Sequence, residues 1–373
     1  MMASEKANKD GISEFGSVTW SEIRQQPALW LTTLERVAQA RSALPSLLPQ
    51  RTIITGAGTS AYAAAAIAAA GTGIKALPTT DLLSASREDV LRAAPEFEQQ
   101  GLLLSLARSG NSPESVAVIE RIGHLFPSVR HLAITCNPDG LLGQIESVQT
   151  LFLDPRTNDR SLVMTSSFSN LVLAGLSILH FNVVSASLSR IADRAARLLP
   201  TLLRRAEEIA ASYPATRAVI LASGSLQPLA CEGSLKILEM TAGSVVALPE
   251  TYLGLRHGPM SFLREDTIVF CIVSSDPLKS RYEADLIEEL RTKSLGRVVA
   301  IAPEDFAPAS VAVHVPALAP ELPDYLRTPF EVVFAQILGY HLSLKAGLNP
   351  DQPSPDGVIT RVVPKFRIHE GHR

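Results

Sequence analysis

One row of charged side chains has a spacing suited to proton transfer. In Glu232-Gly-Ser-Leu-Lys236-Ile-Leu-Glu239 the charged positions lie four and three residues apart, which puts all three on one face of a helix. A solvated ion-pair row is the competing account, since many surface helices carry one without any function. The stretch that follows, MTAGSVVALPE, is small and apolar, so the charged face is expected to point inward, where unpaired charge is destabilising. His257 stands further on, between Arg256 and Gly258-Pro259, in a turn-like segment where a lone histidine is often a surface residue. A carboxylate and an imidazole are the types that aldose-ketose chemistry requires. One group carries a proton between neighbouring carbons through an enediol, and another opens the sugar ring by moving protons at the ring oxygen. Spacing does not show that Glu239 and His257 meet.

Two other segments, GAGTSAY and ARSGNSPES, follow apolar runs and are dense in Gly, Ser and Thr. A phosphate monoester needs donors without bulk. Glycines let the backbone approach, helix N-termini present free N–H groups, and the hydroxyls of Thr59, Ser60, Ser109 and Ser112 can donate to phosphate oxygens. Arg108 adds a charge-assisted contact, and Asn111 of the same loop is counted with them. N-capping and tight turns account for any one of these hydroxyls, but two such loops on successive strands favour phosphate. Gly56-Ala57-Gly58-Thr59-Ser60-Ala61 also satisfies G-x-G-x-x-A, with Asp81 after a plausible second strand, so a dinucleotide site is permitted. It explains neither the second hydroxyl-rich loop nor the repeat described next, and ranks below phosphate binding.

The elements that must position these residues are legible as short apolar runs ending in Gly or Ser clusters. RTIITGAGTS, GLLLSLARSGNS and RHLAITCNPDG alternate with helical patterns, which indicates a parallel sheet covered on both faces. The same three beats return as RAVILASGSL, DTIVFCIVSSDP and GRVVAIAPED, with Ile54-Thr55-Gly56 mapping onto Ala222-Ser223-Gly224 at an offset of 168 residues. The expected fold is α/β, two tandem domains, each a doubly wound, mainly parallel sheet flanked by helices. The expected limits are an N-terminal helical segment over 1–48, a first domain over 49–200, a second over 201–348, and an extended tail over 349–373 marked by Pro353, Pro355 and Pro364. A long helical stretch from Ser167 to Ser212 is expected between the sheets. The second copy carries SGSLQPL and SSDPLKS where the first has its hydroxyl-rich loops, so only the first is dense in Gly, Ser and Thr.

With 373 residues, 46% hydrophobic and 19% charged, the chain can bury a large core and is unlike a disordered one. A net charge of -3 without a basic stripe gives no reason to expect a nucleic-acid partner. Cys136, Cys231 and Cys271 are scattered and read as reduced core thiols. The N-terminus is polar, and the Ala-rich run from Tyr62 to Gly73 is short and Gly-broken for a membrane span, so a soluble cytoplasmic protein is expected. The 8 histidines are isolated, and an enediol can be handled by acid-base groups and fixed dipoles, so no metal or organic cofactor is expected.

Together GAGTSAY, SGNSPES, EGSLKILEMTAG and LRHGP resemble the SIS (sugar isomerase) domain superfamily, which includes the isomerase half of glucosamine-6-phosphate synthase. The resemblance runs from about Trp20 onward. ARSGNSPES, MTSSFSN at 164–170, LEMTAG and NPDQPSPDG narrow it to the galactosamine-6-phosphate deaminase/tagatose-6-phosphate ketose/aldose isomerase family. The resemblance implies that Ser60, Ser109 and Ser112 bind phosphate, that Glu239 is the enediol proton shuttle, that His257 opens the ring and that Lys236 lines the site. It further implies a homodimer at least, with the histidine segment contributed across the interface, and a tail that closes over the sugar with Arg361 near it. The sequence departs from the synthase pattern in three ways: Ala107-Arg108 stands in place of Ser-Gln, the Glu239-to-His257 gap is two residues longer, and no glutaminase portion precedes the isomerase region. Isomerisation with release of ammonia from an amino sugar phosphate, galactosamine 6-phosphate giving tagatose 6-phosphate, is therefore expected rather than synthesis, or else simple tagatose-6-phosphate ketose/aldose isomerisation. The alternatives are a glucosamine-6-phosphate deaminase-like enzyme of the same superfamily and a non-catalytic sugar-phosphate-binding regulator, which needs the phosphate loops but no proton shuttle.

Overall fold

Apolar runs without polar alternation form strands only where both faces are covered, and the chain places its runs in that way. The computed structural model describes residues 16–44, 51–306 and 311–369. Of the helical segment expected over 1–48, residues 1–15 and 45–48 lie outside the described residues, as do 370–373 of the expected tail. Helices α1 (Ser17–Arg24) and α2 (Gln26–Ala40) precede the first strand. Pro27 falls in the first turn of α2, where a missing N–H breaks no helical bond.

The described residues form two compact units, one drawn from the ranges 26–158, 166–193 and 362–369, the other from 16–25, 159–165 and 194–361. The first contains β1 (Thr52–Thr55), β2 (Lys75–Ala76), β3 (Leu102–Ala107), β4 (Arg130–Thr135) and β5 (Val148–Phe152), in the order β2-β1-β3-β4-β5. All its strand pairs are parallel, and β1 and β3 are buried at every residue. Its crossovers are α3 (Thr59–Ala68), α4 (Thr79–Ser84), α5 (Arg87–Ala93) and α6 (Pro113–Leu125). Helix α7 runs from Ser166 to Ser212 with a kink at His180 (φ −130, ψ 43), whose ring Nε2 bonds Ala70 O at 2.7 Å. Among the described helices α7 is long and apolar enough to cross a membrane, yet 56% of that stretch is buried within the protein, as in a core helix.

The second unit repeats the arrangement. Strands β6 (Arg217–Leu221), β7 (Val246–Glu250), β8 (Thr267–Ile272), β9 (Arg297–Ala302) and β10 (Val313–Pro316) pair in parallel in the order β7-β6-β8-β9-β10. That is the order of the first sheet, strand for strand. Helices α8 (Gln227–Met240), α9 (Tyr252–Leu255), α10 (Pro277–Thr292) and α11 (Thr328–Lys345) belong to this unit. Helices α8 and α11 pack closely enough that a Cβ on Gly339 would meet Met240 Sδ at 2.8 Å.

Beyond α11 the described tail is extended, as expected, yet it is anchored. Gly16, the N-cap of α1, has no side chain to cap with; instead the Asp351 carboxylate accepts from Val18 N at 3.3 Å, Thr19 N at 2.7 Å and Thr19 Oγ1 at 2.8 Å. Asn349 Oδ1 accepts from Gly16 N at 3.0 Å. On the same helix Glu22 is buried, with Oε1 accepting from Arg160 N at 2.6 Å and Oε2 hydrogen-bonded to the Ser161 hydroxyl. Burial, and then the charge of buried Asp159, push the Glu22 carboxyl from 4.5 up to about 7.

A carboxyl raised in the folded state binds a proton that the unfolded chain has lost, so its contribution to stability falls as pH rises from 4.5 to 7. The full swing is about 3 kcal/mol. Thermal unfolding of wild type and Glu22→Gln at pH 5 and pH 8 is expected to show the wild type losing stability with pH relative to the variant; a gap independent of pH would refute this.

Candidate active site

In the first sheet β2 continues from one side of β1 and β3 to β5 from the other, so the strand order reverses between β1 and β3. Ligands of open α/β sheets bind outside the carboxyl ends of strands at such a point. The two hydroxyl-rich loops flank it. After β1, Gly56 cannot carry a side chain, since a Cβ would meet the Ser60 carbonyl at 2.5 Å, and Gly58 (φ +55) leads into α3 without a side-chain cap. Thr59 and Ser60 in the first turn are buried. After β3 come Arg108 and Ser109, both buried, then Gly110 (φ +66), Asn111 and Ser112. Ser112 is the N-cap of α6, but its hydroxyl makes no capping bond, leaving that N-terminus open to an anion. Ser109 Oγ accepts from Asn111 N at 3.3 Å and, among the described residues, has no acceptor for its own proton.

This second loop is braced from the turn after β4, whose role the sequence reading missed. Asn137 Nδ2 donates to Ser109 O at 2.9 Å, Asn111 Oδ1 accepts from Leu141 N at 3.0 Å, and a Cβ on Gly140 would strike Ser109 O at 2.3 Å. The N-P-D-G run signals a tight turn, but what that turn supports depends on strand order. Asp81, which a dinucleotide site would need at a strand end, is exposed in α4 after a two-residue β2.

In the second unit α8 carries Glu232, Lys236 and Glu239, and the inward-facing expectation holds. Glu232 and Lys236 are 0% exposed, so the solvated-row account fails. Lys236 Nζ lies 3.4 Å from Glu232 Oε1 and 2.5 Å from Glu239 Oε2. The Glu239 side chain keeps 23% of its surface exposed, so its carboxylate is gripped from behind and open in front. One ammonium between two carboxylates fixes a base in position while matching only part of its charge. Cys231, the next residue back from Glu232, has its thiol pushed up by burial and then by the Glu232 charge, which keeps it a protonated bystander.

The structure does not join His257 to this row. The residue is exposed in the turn after α9, its backbone N donates to Gly254 O at 2.9 Å, and its ring has no hydrogen-bond partner among the described residues. Arg256 beside it is paired with Glu289 at 2.6 Å. Arg361 of the tail donates through Nε and a terminal nitrogen to Asp159 O at 2.8 and 2.6 Å. No group of His, Cys, Asp and Glu among the described residues is arranged to hold a metal ion.

No family model matches the chain. It is 37% identical over 374 residues to D-galactosamine-6-phosphate deaminase AgaS of Escherichia coli, covering 95% of this chain and 96% of that one. Its structure matches that of a tagatose-6-phosphate ketose/aldose isomerase from Escherichia coli at 34% identity and a TM-score of 0.83, over 99% of this chain and 100% of the other. The C-terminal domain of glucosamine-fructose-6-phosphate aminotransferase from Francisella tularensis shares the fold, at 17% identity and a TM-score of 0.72 over 93% and 100% of the two chains. With more than a third of its residues identical to the deaminase across nearly the whole of both chains, this protein belongs to the galactosamine-6-phosphate deaminase family, within the sugar isomerase (SIS) superfamily.

Proposed function

We propose that this enzyme isomerises and deaminates a hexosamine 6-phosphate, galactosamine 6-phosphate by preference, giving tagatose 6-phosphate and ammonia. The observation that carries the reading is the Glu239 carboxylate, held at 2.5 Å by a fully buried Lys236 and still partly open to solvent. Glu239 takes the proton from C2 of the open-chain aldehyde and returns it to C1, while a second proton passes from the amino nitrogen to O1, which leaves C1 as an alcohol and C2 doubly bonded to nitrogen. Water adds at C2 and ammonia leaves, so one water is consumed for each ammonia released. Thr59, Ser60, Arg108, Ser109, Asn111 and Ser112 hold the phosphate, and His257 moves the proton at the ring oxygen. Relatives named for galactosamine-6-phosphate deamination and for tagatose-6-phosphate isomerisation support both halves of the reaction.

The exposed His257 ring, without a hydrogen-bond partner among the described residues, supports a homodimer in which each histidine serves the partner's site. Cytoplasmic location follows from the phosphorylated substrate, which does not cross membranes unaided.

Glu239→Gln keeps the size and loses the base. Ammonia release from galactosamine 6-phosphate should drop by about 10² to 10⁴ in kcat, with substrate binding, read by calorimetry, retained; full activity in the variant would sink the assignment. Ser109→Ala should instead act on binding, raising KM roughly tenfold or more for a lost charge-assisted bond. Mixing Glu239→Gln with His257→Ala protomers tests the dimer. If the histidine crosses the interface, half the sites of each mixed dimer are intact and about a quarter of wild-type activity returns; no recovery would confine the histidine to its own chain.

A further inference from the structure

The second sheet has its own reversal point, between β6 and β8, and the loop after β8 is the counterpart of the loop after β3. Both follow six-residue strands and enter helices with proline at the first position, Pro113 and Pro277. Both begin with the same turn: Ser274 Oγ accepts from Asp276 N at 3.0 Å, as Ser109 Oγ does from Asn111 N at 3.3 Å. The two differ in where their donors point. In the second unit Asp276 caps α10 with its own carboxylate, accepting from Leu278 N at 2.9 Å and Lys279 N at 3.0 Å, where Ser112 leaves α6 open.

Two buried carboxylates beside this turn take the remaining donors: Glu283 Oε2 accepts from Ser274 N at 2.7 Å, and Asp324 takes the rest. Its Oδ2 accepts from Ser274 Oγ at 2.5 Å, and its Oδ1 from Ser275 N at 2.8 Å, Ser275 Oγ at 3.0 Å and a terminal nitrogen of Arg327 at 3.2 Å. Lys279 Nζ stands 3.7 Å from Oδ2. Two hydroxyls, a backbone amide, a guanidinium and an ammonium converging on one anion form the donor set of a phosphate site. Burial alone raises the Asp324 carboxyl, but the bonds from Ser274 and Ser275 and the charge of Arg327 outweigh it and hold the group below its ordinary value. A cleft of about 570 Å³ lined by Ser275, Lys279, Asp324 and Tyr325, together with the carboxylates of Asp276 and Glu321, opens beside it, so space does not keep ligands away.

We infer that the Ser274-Ser275 turn is a phosphate-type anion site occupied by the chain's own Asp324, so that the second domain takes no sugar phosphate and each chain binds one. The doubled fold then has a single working pocket because the other is plugged from within. This deepens the phosphate reading of the first domain, and its test uses inorganic phosphate so that the two fail separately.

Equilibrium dialysis of the full chain against inorganic phosphate should give one equivalent per chain, lost in Ser109→Ala/Ser112→Ala. Asp324→Ala should gain an equivalent that persists in the Ser109→Ala/Ser112→Ala background and disappears when Ser275→Ala is added. In chloride its Tm should fall by roughly 5–10 °C, because Arg327 loses a buried partner, and phosphate at matched ionic strength should restore much of that while shifting wild type less. If Asp324→Ala does not accumulate folded, its refolding yield in phosphate against chloride gives the same readout. No added equivalent and no phosphate-specific rescue would overturn the plug, and so would a second phosphate on the wild-type chain. Loss of the first equivalent bears only on the first domain.

Discussion

A strand followed by a parallel neighbour obliges the chain to return over a face of the sheet before it can pair again. In both sheets every pair is parallel, so all the strand-to-helix loops collect along one edge, and reversal of the strand order opens a crevice in that edge. The two hydroxyl-rich loops of the first unit are products of that constraint. Their serines and glycines sit beside one another because β1 and β3 are paired in register from Thr52 with Leu102 to Thr55 with Ser105. The brace from Asn137 and Gly140 follows too, since β4 is the next strand over.

The same architecture, used twice, has two outcomes. In one unit the N-terminus of α6 carries no side-chain cap; in the other Asp276 caps α10, and Asp324 and Glu283 accept from the Ser274-Ser275 turn. Asp324 belongs to a wider buried network, in which Arg327 donates to Val273 O at 2.7 Å and Glu331 accepts from Leu318 N at 2.9 Å and Ala319 N at 3.0 Å. Charges withdrawn from water in this way must satisfy one another locally.

Helix α8 follows the same rule for a different end. Replacing a buried ion triad with apolar residues often leaves a protein as stable or more so, so stability is a weak reason to keep Glu232 and Lys236. Holding Glu239 in one rotamer at a partly open surface is a better one, because the proton transfer we propose for it tolerates little error in the position of the base. Helix α11 makes this possible: with glycine at 339, its backbone approaches closely enough to seal the inner face of α8.

Much of this was present in the sequence. Continuous apolar runs ending in glycine and serine announced parallel strands, the 168-residue offset announced the doubling, and the spacing of Glu232, Lys236 and Glu239 announced a shared face. Each of these is local, or a repeat of something local, and periodicity records it directly. The tertiary structure decided which charges are buried, since exposure depends on what packs against a helix and α11 lies about a hundred residues further along the chain. It also decided that Asp351 caps α1, that Gly140 lies against Ser109, and that Asp324 accepts from the Ser274-Ser275 turn. These partners come from distant segments, and the side-chain pattern around each residue is the same whether or not the partner arrives.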